Sequence, residues 1–569
     1  MADSIKYIRI WDDEWDYRSS RTEKADHSIH VYDSEEERDP KWMKIASLFD
    51  LILKGRTKKP PPLLDITVGI ASISALSVML RRHEQAARRV GGLHIMPCEM
   101  LSRPKYFATV RKNLQVAELF RMRWRQLGLL VKEMCETSAN ANPPVLKRFH
   151  MDKDPSDWHA FNTGYNWWID AEFWNCLKGT LPSTVEDLVW KPPSTHPDFF
   201  WVADLLGPEW PHLRTFNLNL RSEDSRWQSR IDQFLARHKH LENIEITTTT
   251  NARKSMISNT FPKLKRCHID MMTDDIMASF LSRNFHTIRD LTVYDCSSLP
   301  RSPSTFLPHP TLDKDASYKD AFRLDVLRAD SSTAAHLVRS GVTVRHYEFD
   351  RVSSIKELRL DHWLFPVREA AEAVTCLDIE IRIHGVSTES DCGGDGAHTL
   401  RANFLPAGAL PNLTELVLSW GDYESQRFLS MADGEALIAG ALATLKHQKF
   451  LRHLRLEHAD GMSFRSLPNI EVEDNDQIPP RLEYITWRSA HEACTQRYRV
   501  MFPVQCDLAT DVAVEGIGTR RAPLKIRLQR LPAIVGSRID ERGVWDRPQG
   551  WGNGATMFDH SKSPPELYV

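Results

Sequence analysis

The sequence predicts an α/β solenoid in which helices alternate with short parallel strands. Three observations carry this: a recurring apolar cadence, helical stripes between its copies, and a polar residue inside each copy. The cadence is L-x-x-L-x-L. Clear copies are Leu213-x-x-Phe216-x-Leu218, Leu241-x-x-Ile244-x-Ile246, Leu264-x-x-Cys267-x-Ile269 and Ile288-x-x-Leu291-x-Val293. Ile355-x-x-Leu358-x-Leu360, Leu413-x-x-Leu416-x-Leu418, Leu451-x-x-Leu454-x-Leu456 and Leu482-x-x-Ile485-x-Trp487 follow. This is the strand segment of a leucine-rich-repeat-like unit. Such a unit cannot bury its apolar face alone, so copies must stack.

Weaker copies precede residue 200, at Ile5-x-x-Ile8-x-Ile10, Val90-x-x-Leu93-x-Ile95, Leu146-x-x-Phe149-x-Met151 and Val185-x-x-Leu188-x-Trp190. Leu64 and Ile66, after Pro60-Pro61-Pro62, contribute a further strand. Between copies, residues 228–238 set Ile231, Phe234 and Leu235 on one helical stripe, and 434–446 do the same with Leu437, Ile438, Ala441, Leu442 and Leu445. Asp274-Asp275 and Ser331-Ser332-Thr333 read as helix starts. The helices run into the next cadence through Pro-x-Leu or His-x-Leu, as at Pro211-His212-Leu213. Spacing is about 23 to 28 residues from Val185 to Ile288, near the repeat range. The long gap between Ile288 and Ile355 holds a degenerate copy, Val344-x-x-Tyr347-x-Phe349, and a loop from Pro300 to Pro310.

The polar residue inside the cadence decides between folds. In a barrel or doubly wound sheet a parallel strand is buried on both faces and is apolar throughout. Here that position is Glu245, His268, Arg359, Asp378 or Arg455. Burying such a row unpaired would cost several kcal/mol per charge, so one sheet face is expected to be wet. The expected organisation is a repeat-like segment at 1–62, the array at 63–490, a C-terminal cap region at 491–549 and a disordered tail at 550–569.

The 569 residues carry a net charge of −2, which gives no global attraction to nucleic acid or anionic membrane. Nine cysteines without a C-x-x-C pair fit a reducing compartment and offer no zinc ribbon. The uncharged stretch from Ile66 to Leu80 is too short to span a bilayer and reads as a buried strand, turn and helix. A cytoplasmic or nuclear protein is expected, since Met1-Ala2-Asp3-Ser4 lacks the basic and apolar regions of a signal peptide. There is no P-loop, H-E-x-x-H, G-x-S-x-G or kinase signature. Cys392-Gly393-Gly394-Asp395-Gly396-Ala397-His398 reads as a surface loop rather than a dyad. The expectation is therefore no catalytic residues, no cofactor and no metal. What remains is a sheet face able to meet a protein: Arg9, Trp11, Asn217, Asn219, Glu245, His268, Asp270, Tyr294, Arg359, Asp361, Asp378, Glu380, Arg455, Glu457 and Arg488. Mixed signs and amides suit a folded protein surface.

The passage Ala75-Leu76-Ser77-Val78-Met79-Leu80-Arg81-Arg82-His83-Glu84 through Val90-Gly91-Gly92-Leu93-His94-Ile95 resembles one found after the F-box in fungal F-box proteins with irregular leucine-rich-repeat-like arrays. Leu413-Thr414-Glu415-Leu416-Val417-Leu418 and Leu482-Glu483-Tyr484-Ile485-Thr486-Trp487 are similar too. The resemblance implies an array that recruits a substrate and an F-box that binds a Skp-type adaptor of a cullin–RING ubiquitin ligase. The first 60 residues contain no Leu-Pro-x-Glu-Ile/Leu opening, and Trp42, Ile45, Leu48, Phe49 and Ile52 read as one amphipathic helix. Three readings stay open: an F-box-like substrate receptor, a stand-alone binding scaffold, and an α/β enzyme.

Overall fold

The computed structural model describes residues 7–12, 28–33, 64–69, 76–77, 80, 90–96, 114–139, 146–151, 171–190, 205–220, 226–248, 259–270, 280–281 and 283–294. It further describes 323–352, 358–382, 405–421, 441–458, 478–489, 494–501 and 527–530. These fall into two units, one up to Ile288 and one from Arg289 onward.

In the first unit the strands are β1 (Tyr7–Asp12), β2 (Ser28–Asp33), β3 (Leu64–Gly69), β4 (Val90–Met96) and β5 (Arg148–Met151). β6 (Asp187–Trp190), β7 (Thr215–Leu220), β8 (Asn243–Thr248) and β9 (Arg266–Asp270) complete it. They pair in parallel in the order β2-β1-β3-β4-β5-β6-β7-β8-β9. Register is set by the cadence: Ile66, Leu93, Phe149, Leu188, Phe216, Ile244 and Cys267 stand opposite one another, all buried. A one-residue slip would send this column to the polar face, which makes the register specific.

The second unit repeats the construction. β10 (Asp290–Tyr294), β11 (Arg323–Ala329), β12 (Thr343–Val352), β13 (Cys376–Arg382), β14 (Glu415–Gly421), β15 (His453–His458) and β16 (Tyr484–Ser489) are parallel neighbours in that order. Their buried column is Leu291, Leu327, Tyr347, Leu377, Leu416, Leu454 and Ile485. β17 (Cys494–Met501) and β18 (Arg527–Arg530) add on antiparallel. Each unit is thus an open, mostly parallel sheet built by an irregular leucine-rich-repeat-like solenoid.

Stacking is reinforced just before each strand. One carbonyl of a repeat accepts two successive N–H groups of the next: Thr414 takes Arg452 and His453 at 2.9 and 3.1 Å, and Glu186 takes Arg214 and Thr215 at 2.7 and 3.0 Å. The same position carries charges that pair with neighbouring strands, as Lys147–Glu186 at 2.8 Å and the two-pronged Arg452–Glu483 contact do.

Helices cover the cadence from one side. α1 (Leu114–Ala139) and α2 (Ala171–Thr180) pack together, and Trp124 lies 5.0 Å from Phe173 between ring centroids. Gly128 permits that approach, because a Cβ there would meet Phe173 Cα at 2.9 Å. α3 (Arg226–Arg237) buries Ile231, Phe234 and Leu235, the stripe read from the sequence. α4 (Ser331–Arg339) is capped by Asp330, whose Oδ1 accepts from the N–H groups of Ser332 and Thr333, both at 2.9 Å. The helix start expected at Ser331 is therefore in place, with the cap one residue earlier.

Two readings of the 288–360 gap change. Val344-x-x-Tyr347-x-Phe349 is indeed a strand, β12, and a further copy, Leu324-x-x-Leu327-x-Ala329, forms β11. Conversely, Ile355-x-x-Leu358-x-Leu360 makes no strand over its described residues. Arg359 adopts a left-handed conformation (φ 44°) and precedes the short helix α5 (Leu360–Trp363), which α6 (Arg368–Ala373) follows. Here the apolar spacing serves a turn that tucks in Leu358, Leu360 and Trp363, and the Trp363 indole N–H donates to the Leu358 carbonyl at 2.7 Å. The Trp42–Ile52 stripe, Asp274-Asp275, the loop 300–310, the Cys392–His398 segment and the tail 550–569 lie outside the described residues.

Candidate functional site

Within a strand, residues two apart share a face. In each cadence the third and fifth positions therefore project together, away from the apolar column. In the first unit the third position runs Asp65, Gly92, Arg148, Asp187, Thr215, Asn243, Arg266. The fifth runs His94, His150, Val189, Asn217, Glu245, His268.

These groups are bound to one another. An Arg148 terminal nitrogen reaches across β4 to lie 2.7 Å from both Asp65 carboxylate oxygens. His150 Nε2 lies 3.1 Å from Asp187 Oδ2, and the His94 and His150 rings meet edge to face. Farther along, Asn243 donates to the Thr215 hydroxyl at 2.9 Å, and His268 Nδ1 sits 3.3 Å from Glu245 Oε1. Burial raises the Asp65 carboxyl above its ordinary range, although Arg148 and His150 pull it back down.

The second unit has a comparable row. Arg328 bonds Asp290 at 3.1 Å and the Thr292 hydroxyl at 3.2 Å, and makes an ion pair with Glu348. Beside it His346 is fully buried, and its pKa falls to about 3 because burial and the Arg328 charge oppose protonation. Next come Cys376, Glu415 and His453 on adjacent strands. Glu415 is 1% exposed, and burial pushes its carboxyl up to about 8, against the pull of Cys376, Arg452 and Arg455. Burial, with Glu415 and Asp378 beside it, also holds the Cys376 thiol protonated. His453 Nε2 is 2.8 Å from the Thr486 hydroxyl.

The face is polar, as its sequence requires, but it is drier than expected. Asn217 is 3% exposed, Arg455 6% and Thr486 1%, while Glu245, His268, Asp378 and Glu380 are half-buried. Two compensations make the burial tolerable: Asp65, Asp187, Asp290 and Glu348 stand against Arg148, His150 and Arg328, whereas Glu415 and His346 are shifted toward their uncharged forms. Arg359 and Asp361 do not belong to this face, since the turn at Arg359 takes both off the sheet. Arg9 and Trp11 lie on β1, Asn219 on β7, Asp270 on β9, Tyr294 on β10, Glu457 on β15 and Arg488 on β16, with Glu457 opposite Arg488. The side chains of these seven lie outside the described residues.

The face expected from the sequence consists of the fifth and seventh positions; the third position adds Arg148, Asp187, His346, Glu415 and His453. The two-residue period of a strand was the signal that would have found them. Among the described residues no group of three or more His, Cys, Asp or Glu is placed to hold a metal ion. No helix there is long and apolar enough to cross a membrane.

No family model matches the chain, and no curated protein matches it. A solved structure of the Rad7 and Elc1 complex in yeast aligns over 71% of this chain and 72% of the matched chain, at 13% identity and a TM-score of 0.27. A superposition that loose carries no weight for function, so the fold assignment rests on the strands and register described above.

Proposed function

We propose that the protein is a non-catalytic interaction scaffold that receives a protein partner on its sheet face. The observation that carries this is the mixed-sign ladder itself: paired acids, bases and amides in ordered rows on an open parallel sheet. Such rows offer many weak polar contacts and little reactive chemistry, because their titratable groups are tied to each other or held uncharged by burial. The members through which a partner would be met are the half-buried Glu245 and His268 on the first unit's sheet and Asp378 and Glu380 on the second's, each unit's face taken by itself. As its finer form, the scaffold serves as an F-box-like substrate receptor of a cullin–RING ligase, which the resemblance of residues 75–95 supports. A scaffold without a ubiquitin link is the alternative.

The test is affinity purification of full-length protein beside two variants, Glu245→Arg/Glu380→Arg and a deletion of residues 1–60. Partners lost from the face variant but kept by an exposed control such as Arg230→Ala support the sheet-face reading. Equal recovery from all forms refutes it. A Skp-type adaptor and cullin that vanish on deletion of 1–60 support the receptor role, and their absence from full-length protein leaves the plain scaffold.

A further inference from the structure

A second surface lies where the chain turns into its strands. Seven cadences begin with one kind of turn, in which the N–H of the first apolar residue donates to the carbonyl three residues earlier at 3.1 to 3.4 Å: Leu213, Leu241, Leu264, Ile288, Leu413, Leu451 and Leu482. Proline fills the first tip position four times, at Pro211, Pro262, Pro411 and Pro480, as a preset φ favours. No tip position in the seven turns is acidic, and six of the turns carry Lys, Arg or His there. Turn geometry does not require basic residues, so the bias needs another reason.

In the second unit the turns leading into β15 and β16 carry the cations Lys449 and Arg481 at their tips. Phe450 is 41% exposed, one of few large apolar side chains so placed among the described residues. The Arg481 guanidinium from the next turn lies over its ring, 4.8 Å from the centroid. Lys446, His447 and Lys449 are exposed beside it. The acid nearest in sequence, Glu483, is engaged by Arg452 through both carboxylate oxygens at 2.8 and 2.9 Å. Lys449 and Arg481 thus form no ion pair among the described residues.

We propose that this turn edge is a docking surface for an acidic segment of a partner protein, with Lys449 and Arg481 pairing its carboxylates and Phe450 taking one apolar side chain. An exposed aromatic stacked with arginine is the composition of an interface anchor. The cations sit on successive repeats about 5 Å apart at their strands, a spacing that suits an extended peptide. The chain as a whole is close to neutral, so attraction is confined to the patch. That favours a short acidic segment over a long polyanion, which gains from charge spread over many contacts.

Anisotropy of a dye-labelled peptide, about twelve residues alternating Glu and Ser around a central Leu, tests this on the full-length chain. Saturable binding is expected near 50 mM salt, weakening about fivefold near 300 mM. Lys449→Glu/Arg481→Glu should weaken it about tenfold or more and Phe450→Ala about threefold. Lys449→Gln/Arg481→Gln should fall between the double reversal and the parent. All these sites are exposed, and unchanged thermal melts would verify that the variants fold. The sheet-face variant Glu245→Arg/Glu380→Arg should bind the peptide as the parent does, which separates this surface from the proposed sheet-face function. Absence of saturable binding would overturn the proposal, as would binding indifferent to the double reversal. So would tighter binding of a twelve-nucleotide oligothymidylate through the same residues, which would make the edge a nucleic-acid surface.

Discussion

Replacing Gly92 by alanine is a small change with a defined target. Gly92 sits on β4 between Asp65 and Arg148, and the ion pair joining them passes over it. A Cβ at residue 92 would lie 2.2 Å from Asp65 Oδ1 and 3.3 Å from Arg148 Nε. The carboxylate is the end of a side chain and can swing aside, so the cost is loss of the pair rather than a frozen clash. Hydrogen bonds to charged groups contribute about 1.5–3 kcal/mol. These side chains keep 21% and 30% of their exposure, so solvent screening brings the loss to about 1–2.5 kcal/mol. Alanine recovers about 0.5–1 kcal/mol over glycine in a strand. The net expectation is destabilisation of about 0–2 kcal/mol, read as a lower urea midpoint at unchanged slope. The decisive measurement is the same substitution in an Asp65→Ala background, where alanine at 92 should be neutral or mildly stabilising. An equal loss in both backgrounds would refute the idea that Gly92 exists to let the ion pair cross.

Glu415→Gln should change how stability depends on pH. The folded carboxyl titrates near 8, above its ordinary 4.5, so between those values the unfolded chain has released a proton that the folded one keeps, and stability falls as pH rises. The glutamine variant lacks this loss, so its stability relative to the parent should rise from pH 5 to pH 8, by an amount on the order of 3 kcal/mol; a constant difference would refute the assignment. Arg359→Gly should raise stability by about 0.5–1 kcal/mol by relieving a positive φ, measured by thermal melting. Asn284→Ala should cost about 2–4 kcal/mol in denaturant titration, because its buried amide accepts from the Phe261 N–H at 2.7 Å and donates to the Asn259 and Phe280 carbonyls. Leu416→Asp, in the middle of the second unit's buried column, should abolish cooperative unfolding of that unit.

Periodicity explains what could be read in advance. The cadence names the inward column where it forms a strand, because residues two apart, such as Phe216 and Leu218, share its buried face. Parallel pairing follows from the helices between copies, and Ser331-Ser332-Thr333 announces the start of α4, although the capping side chain is that of Asp330. The copy at Val344 was legible too, since a strand tolerates tyrosine in the pattern; the one at Leu324, which ends on Ala329, emerged only with the structure. The copy at Ile355 shows the limit. Leu358 and Leu360 are as apolar as any strand pair, yet the chain turns at Arg359 and buries them against a short helix, since hydrophobic spacing records what is buried and not the backbone path that buries it. The polar face shows a second limit. Its residue types were plain, but which acid meets which base depends on strands brought side by side from positions 83 residues apart, as in Asp65 and Arg148. The sequence by itself determined the repeat, the register column and the polar character of the open face. Only the tertiary structure decided that this face is dry enough to hold Glu415 protonated, because burial and charge pairing are properties of neighbours that the chain supplies from afar.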